Sequence, residues 1–261
     1  MNNGATKTRK HENTKTRKKA RKHEKYGFDV RAFAFFVISW LCFWHLTRSV
    51  ILPHDFYRRP TLDVAADLLG KLLVHRTSEG ATAGRIVEAE AYIGEDDPAC
   101  HAAPGPTVRN EPLYGPPGIA YVYLNYGLHY LVNAVTEEEG SPAAVLIRAL
   151  EPVTGLELMR QRRSRARWRK GKPVPPDHDL CRGPGNLTAA LGITLAQNRH
   201  PLTRRPLTIE DDGFRVEKIS WSPRIGISVG TEHHWRCTLS GSRSVSGVKT
   251  SGAAFAAPRR A

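Results

Sequence analysis

The sequence has 261 residues, and its 39 Lys and Arg outnumber 25 Asp and Glu to give a formal net charge of +14. This length suffices to bury a core without disulfides, and the charge favours a polyanionic partner such as nucleic acid. Four cysteines without a Cys-x-x-Cys pair argue against a zinc ribbon or a disulfide framework.

The first fifty residues differ in composition from the rest. Residues 1–31 hold eleven Lys or Arg against three Asp or Glu, and residues 1–25 are polar enough to predict disorder. Residues 32–44 form an apolar run that is too short for an ordinary membrane-spanning helix, although a signal sequence stays open. We therefore divide the chain into a basic extension, residues 1–50, and one folded domain, residues 51–261.

Helical spacing of apolar residues marks the start of the domain. Thr61 can cap a helix over residues 62–69, which Gly70 would end. A strand over residues 72–75 is expected to pair with a second strand, residues 85–93, across a polar turn.

The second strand carries two carboxylates. Because side chains alternate along a strand, Glu88 and Glu90 would share a face with Ile86 and Tyr92, and the residues between them would form an apolar face. Carboxylates at this spacing lie roughly 7 Å apart, too far to share a proton, but a neighbouring strand could bring a cation between them. A solvated strand face with two surface glutamates is the alternative.

More acidic residues follow this strand. Glu95, Asp96 and Asp97 could hold a metal ion together with His101, since carboxylate and imidazole are both common ligands. Such a cluster would indicate a nuclease or another metallohydrolase.

A β-hairpin is predicted from residues 119–124 and 128–135, because Asn125-Tyr126-Gly127 between them tolerates a turn. Tyr126 would lie at the tip, either exposed or packed on its own hairpin. Tyr121 and Tyr123 would point to one side of their strand and line a pocket or a core. In so basic a chain, rings beside a carboxylate and an imidazole suggest an enzyme that extrudes a base from a nucleic-acid stack and attacks it with water.

Further strands and helices follow the hairpin. Residues 145–149 predict a strand, and Thr154 with Glu157 predicts a capping box before a helix over residues 156–163. The basic run at residues 160–170 would either meet phosphate or end a solvated helix. The remaining predictions are a helix over residues 187–191 and strands over residues 207–210 and 224–229.

Several motifs occur in a recognisable order: Gly84-Arg85-Ile86-Val87-Glu88-Ala89-Glu90-Ala91-Tyr92, His101, residues 107–110, the tyrosine hairpin, Arg148-Ala149-Leu150-Glu151-Pro152, residues 155–160 and Leu180-Cys181-Arg182-Gly183-Pro184. Together they closely resemble the alkyladenine (3-methyladenine) DNA glycosylase family, over residues 52–246. The resemblance implies an α+β fold. It is expected to be a single mixed domain with a curved, mostly antiparallel β-sheet, peripheral helices and a protruding β-hairpin.

The resemblance also implies the roles of individual residues. Glu90 matches the general base that activates water, and Arg148 lies beside that water. Tyr126 matches an intercalating wedge, and Asn133 the residue that crowds the exocyclic amine of guanine. The walls of the base pocket match Tyr92, His101 and Tyr123. Contacts to the DNA backbone are assigned to Thr107, Arg109, Asn110, Arg163 and Arg236, although Cys237-Thr238 stands where the family usually has aromatic residues.

These roles imply a base-excision repair glycosylase that acts on double-stranded DNA and hydrolyses the N-glycosidic bond of flipped-out 3-methyladenine, 7-methylguanine, hypoxanthine or ethenoadenine. Residues 85–148 contain no lysine that could form a Schiff base, so we expect a monofunctional enzyme. We expect no cofactor, no obligatory metal, a monomer, and a location in the bacterial cytoplasm (nucleoid) or the nucleus. A metal-dependent nuclease and a non-catalytic basic nucleic-acid-binding protein stay open as alternatives.

Overall fold

The structure, a computed structural model, describes residues 49–247. The predictions of disorder at residues 1–25 and of an apolar run at residues 32–44 lie outside the described residues. Within the part that is described, no helix has the length and apolarity needed to cross a membrane. The cysteines of that part, Cys100, Cys181 and Cys237, are buried and free.

Nine antiparallel strands form one sheet in the described part of the chain. They are β1 (Val50–Ile51), β2 (Leu72–Thr77), β3 (Gly80–Ile93), β4 (Ala120–Asn125), β5 (His129–Val135), β6 (Ala143–Thr154), β7 (Leu207–Asp211), β8 (Ile219–Ser222) and β9 (Arg236–Leu239). The strand order is β1-β7-β2-β3-β6-β5-β4, and β9 joins β3 to β8. With the few helices around it, this sheet confirms the predicted α+β class of a single, mostly antiparallel domain.

The longest strand, β3, holds the centre of the sheet. It pairs with β6 over most of its length, from Ala83 to Ile93. Its other edge pairs first with β2 and then with β9, which lies opposite Glu88, Ala89 and Glu90. The two carboxylates therefore lie in the middle of the sheet, between two neighbouring strands.

The predicted face of Ile86 is wrong, because the pairing of β3 with β6 is irregular next to this residue. The register between β3 and β6 skips Val87 on one strand and Arg148 on the other. Ile86 consequently packs in the same core cluster as Ala89 and Ala91, although regular alternation would put it on the opposite side. Glu88 and Glu90 keep their predicted common face, opposite that apolar cluster.

Four α-helices surround the sheet in the described region: α1 (His54–Tyr57), α2 (Thr61–Leu68), α3 (Leu156–Arg165) and α4 (Pro184–Leu191). Both predicted N-terminal caps are wrong. Thr61 lies inside α2, and its hydroxyl donates to Glu137 at 2.6 Å instead of capping the helix. Before α3, Gly155 is the N-cap and no side chain caps the helix. Its φ of 77° favours glycine, and a Cβ there would also lie 2.4 Å from the Ala81 carbonyl oxygen.

The two faces of β3 belong to different parts of the molecule. Its apolar face, with Ala89 and Ala91, packs in the main core beside residues of α2 and α4. A smaller cluster contains Cys100, Leu113 and Tyr121, with Tyr92 and Tyr123 packed against it. The polar face of β3 and this smaller cluster together place the chemically active side chains.

Candidate active site

A cavity of about 390 Å³ opens between β3, the β4–β5 hairpin and residues 225–227, a size within the usual range for small-molecule sites. Its lining includes all six residues that the sequence assigned to the pocket, the wedge or the catalytic arginine: Tyr92, His101, Tyr123, Tyr126, Asn133 and Arg148. Residues 224–229, predicted as a strand, are irregular and supply part of the wall. No local sequence signal identifies that segment as a wall.

Aromatic rings form one side of this cavity. Alternation along β4 places Tyr121 and Tyr123 side by side, with their ring centroids 5.3 Å apart. The His101 ring lies edge to face with Tyr123 at a centroid distance of 4.5 Å, and its Nδ1 lies 2.9 Å from the Tyr121 hydroxyl. The three rings thus brace one another, which gives a planar ligand a pre-formed stacking surface.

Glu90 lies directly behind the cavity wall and is fully buried. Its Oε1 accepts the Ile225 backbone N–H at 2.7 Å, and its Oε2 accepts the Tyr92 hydroxyl at 2.9 Å and Arg148 Nη1 at 3.1 Å. All three donors belong to residues that line the cavity. A carboxylate offers about four lone-pair positions, so these three contacts leave one unused.

Arg148 joins the two carboxylates of β3. Its Nε donates to Glu88 at 3.0 Å and its Nη1 to Glu90 at 3.1 Å. This is the cation from a neighbouring strand that the spacing of the carboxylates allowed. Because both glutamates are fully buried, the alternative of a solvated strand face is wrong.

Burial sets the protonation of the site. It raises the pKa of Glu90 above the ordinary value, while Arg148, the Ile225 N–H and the Tyr92 hydroxyl act in the opposite direction. Burial also lowers the pKa of His101, and Arg109 adds to that effect. Glu90 is therefore a stronger base than a solvated glutamate, and His101 is neutral at neutral pH.

Tyr126 lies at the tip of the β4–β5 hairpin, as predicted. Tyr126 is 85% exposed, so it does not pack on its own hairpin. Tyr126 and Gly127, the two central residues of the turn, have φ values of 49° and 67°, as a type I′ turn requires. A bulky non-glycine residue at positive φ is uncommon and strained.

Three of the five predicted DNA-backbone contacts need correction. Asn110 is buried, and its amide holds the loop by donating to the His101 and Gly105 carbonyl oxygens. Arg163 is buried within the domain. Arg236 is buried and donates to Glu88 at 2.7 Å. None of these three side chains can reach a phosphate as placed, whereas Thr107 and Arg109 are exposed and stay predictions.

Tyr121, which lies opposite Asn133 in the β4–β5 hairpin, positions the Asn133 side chain. It is buried on β5, and its Nδ2 donates to the Tyr121 carbonyl oxygen at 2.9 Å. This bond fixes the plane of the amide at the cavity wall. The predicted role of Asn133 in crowding a guanine amine stays a prediction.

Two of the carboxylates that the sequence offered as metal ligands bind other side chains instead. Asp97 forms a salt bridge with Arg224, and both side chains are fully buried. Glu95 accepts the Tyr114 hydroxyl at 2.7 Å. Among residues 49–247, no three His, Cys, Asp or Glu side chains are grouped to hold a metal ion.

A buried carboxylate behind a ring-lined cavity, with an exposed tyrosine on a nearby hairpin tip, fits an enzyme that acts on a nucleotide rotated out of a duplex. The family model for methylpurine-DNA glycosylase matches residues 55–243. The chain belongs to this family and is thus a hydrolase, a DNA glycosylase of the 3-methyladenine type, that acts in base-excision repair.

Named relatives agree with this membership, and each carries the provisional name 3-methyladenine DNA glycosylase. The relative from Methanocella arvoryzae is 50% identical over 182 residues, which are 70% of this chain and 87% of the relative. The relative from Chlorobium phaeobacteroides is 47% identical over 76% of this chain and 96% of its own length. That from Salinibacter ruber is 46% identical over 77% and 98%.

Proposed function

We propose that this protein removes flipped-out 3-methyladenine, 7-methylguanine, hypoxanthine or ethenoadenine from double-stranded DNA, by hydrolysis with a water molecule that Glu90 activates. One observation carries the proposal. The Glu90 carboxylate is fully buried, and every group that donates a hydrogen bond to it belongs to a residue that lines the cavity.

The chemistry of glycosidic hydrolysis fits this carboxylate. As the bond between sugar and base breaks, positive charge develops on the sugar, which a nearby carboxylate stabilises. Glu90 also accepts the proton that the attacking water loses. Arg148 holds both glutamates in place through its two ion pairs, and Arg148 itself lines the cavity.

The rings favour an alkylated purine. Such a base carries positive charge, leaves readily, and is attracted to tyrosine and neutral histidine faces. The lowered pKa of His101 keeps this ring uncharged, which avoids repulsion of a cationic base. Stacking gives about 1–3 kcal/mol per ring, so two or three rings offset an extrusion that costs a few kcal/mol. Asn133 would disfavour normal guanine by crowding its exocyclic amine. 7-Methylguanine keeps that amine, but its positive charge favours stacking and makes its glycosidic bond easier to break.

Duplex binding follows from the exposed residues. Tyr126 would fill the gap that the extruded nucleotide leaves, and Thr107 and Arg109 would contact the backbone beside it. We propose that the enzyme works as a monomer, without a cofactor or an obligatory metal ion, and wherever the DNA is, in the bacterial nucleoid or the nucleus.

We further propose that the enzyme is monofunctional. A bifunctional glycosylase uses an amine to form a Schiff base with the sugar. No lysine is among the described residues that line the cavity. Borohydride should therefore trap no covalent complex with lesion DNA, and a trapped adduct would refute this point.

The decisive test of the function uses purified full-length protein and duplexes that each hold one defined lesion, in the presence of a chelator. We expect free damaged base and intact strands with an abasic site. Strand cleavage without base release would indicate a nuclease, and binding without release would indicate a non-catalytic DNA-binding protein.

A further inference from the structure

A second buried ion pair lies next to the catalytic network. Arg224 Nη1 and Nη2 donate to the two carboxylate oxygens of Asp97 at 2.5 and 2.8 Å. Both side chains are fully buried. A bidentate pair of this kind fixes the orientation of a guanidinium as well as its distance.

Arg224 holds the part of the chain that supplies a hydrogen bond to Glu90. Its Nη1 also donates to the Ala91 carbonyl oxygen at 3.0 Å, and its Cζ lies 4.7 Å from the centroid of the Tyr92 ring. The next residue is Ile225, whose N–H donates to Glu90 and whose carbonyl oxygen accepts Arg148 Nη1 at 3.4 Å. The irregular segment after β8 is thereby tied to β3.

Asp97 connects the pair to another wall of the cavity. Its carboxylate accepts the backbone N–H groups of Ile93 at 3.3 Å and Ala99 at 3.1 Å. These two bonds order the loop that leads to Cys100 and His101, which both line the cavity. The ion pair therefore links the end of β3 and the loop that follows it to the segment after β8, more than a hundred residues later in the chain.

We propose that Asp97 and Arg224 are positioning residues for base excision, which hold the Ile225 amide and the Tyr92 hydroxyl in the geometry that orients and ionises Glu90. This inference rests on the proposed role of Glu90 as general base. Asp97 thus serves to hold Arg224 and not as a metal ligand.

Several groups influence the charge of Glu90. Those that lie around it on its side of the sheet are Arg148 on β6, Arg224 after β8, Glu88 and Tyr92 on β3, Tyr123 on β4, and Arg236 on β9. Cys237 on β9 is also close, but it packs in the apolar core on the opposite face. Arg224 contributes in two ways, as a nearby positive charge and through the amide that it holds in place. Loss of Arg224 should therefore make Glu90 harder to ionise.

The test measures single-turnover release of 7-methylguanine against pH, together with unfolding in urea. Arg224→Met removes the charge and the anchor, and Arg224→Lys retains the charge but not the bidentate contact. Arg85→Met is the matched control, because Arg85 forms a similar pair with Asp212 away from the cavity, at 2.8 Å. Glu90→Gln is measured in parallel.

We expect Arg224→Met to move the acid limb of the rate profile upward by about one pH unit, a shift typical of losing one charge and one hydrogen bond. Arg224→Lys should keep the acid limb near the pH of the wild type but lower the plateau rate. This variant also tests the inference if Arg224→Met does not fold. Arg85→Met should lower only the urea midpoint.

The inference is overturned if both Arg224 variants lose stability as Arg85→Met does but keep the wild-type limb and plateau. A Glu90→Gln variant with the acid limb intact would instead overturn the proposed function. The two failures are therefore distinguishable.

Discussion

The polar network behind the cavity and the hairpin tip in front of it are built in opposite ways. Glu88, Glu90 and Arg148 are buried and bind one another, so their geometry is complete without DNA. Tyr126 is 85% exposed, with Leu124 and Leu128 exposed beside it. The network is pre-organised for chemistry, whereas the tip offers apolar surface that a soluble protein exposes for a partner.

The network should contribute strongly to stability. Replacing Arg148 by Met leaves two buried carboxylates without their shared cation, so we expect a loss of about 3–5 kcal/mol in the free energy of unfolding. Urea denaturation measures it. Arg160→Met is the control, because Arg160 pairs with Asp177 at the surface, where a pair contributes only about 0–1 kcal/mol. Equal losses of unfolding free energy in Arg148→Met and Arg160→Met would show that the buried network is no more stabilising than a surface ion pair.

The tip should matter for DNA and little for folding. Tyr126→Ala removes one stacking ring, so we expect lesion-duplex affinity to fall by about 1–3 kcal/mol. The free energy of unfolding should change by no more than about 0.5 kcal/mol, because the side chain is exposed. Titration and urea unfolding check both. Tyr126→Phe should behave as the wild type, and a Phe variant as weak as Ala would argue against stacking.

The pH dependence of catalysis follows from the buried carboxylate. A general base must be ionised, so the rate of base release rises with pH through the pKa of Glu90 and then levels off. Because burial raises that pKa, the acid limb should lie above the ordinary glutamate value of about 4.3. A duplex with 7-methylguanine is the suitable substrate, since this base is cationic in the DNA and leaves as a neutral molecule without first taking up a proton. A limb at or below the ordinary value would contradict a desolvated base.

The smallest expected effect concerns salt. Arg109 is exposed near the tip, and one lost phosphate contact should reduce the slope of log K against log salt by about 0.9. Measurement of affinity at several salt concentrations for Arg109→Ala tests this. Arg215 is an exposed arginine outside the cavity lining, so Arg215→Ala should keep the wild-type slope.

Local patterns in the sequence account for much of the fold. The strand over residues 85–93, the turn at Tyr126 and the helix from residue 156 are predicted from short-range patterns, and these elements form there. The strict alternation nevertheless breaks at Val87, and no side chain caps the helix. The residues around Glu90 were identified by ordered motifs, which the resemblance to a family made specific. Both kinds of information are contained in contiguous stretches of the chain.

Long-range contacts explain what the sequence did not predict. The irregularity that moves Ile86 into the core arises from pairing with β6. Arg163 and Arg236 look like phosphate ligands in a basic chain, yet folding buries both. The segment around Ile225 has strand-like residues, but Arg224 anchors it to Asp97, more than a hundred residues earlier. Such contacts have no signature in a local window.

The central claim is that Glu90 activates the water. Glu90→Gln and Glu88→Gln provide the most direct measurement, because the two glutamates share a strand face, full burial and Arg148. Single-turnover release of damaged base, in chelator, should fall by about 10²–10⁴-fold for Glu90→Gln, with DNA affinity retained. Glu88→Gln should keep most of the activity. Equal rates in the two variants, or an active Glu90→Gln enzyme, would contradict the account.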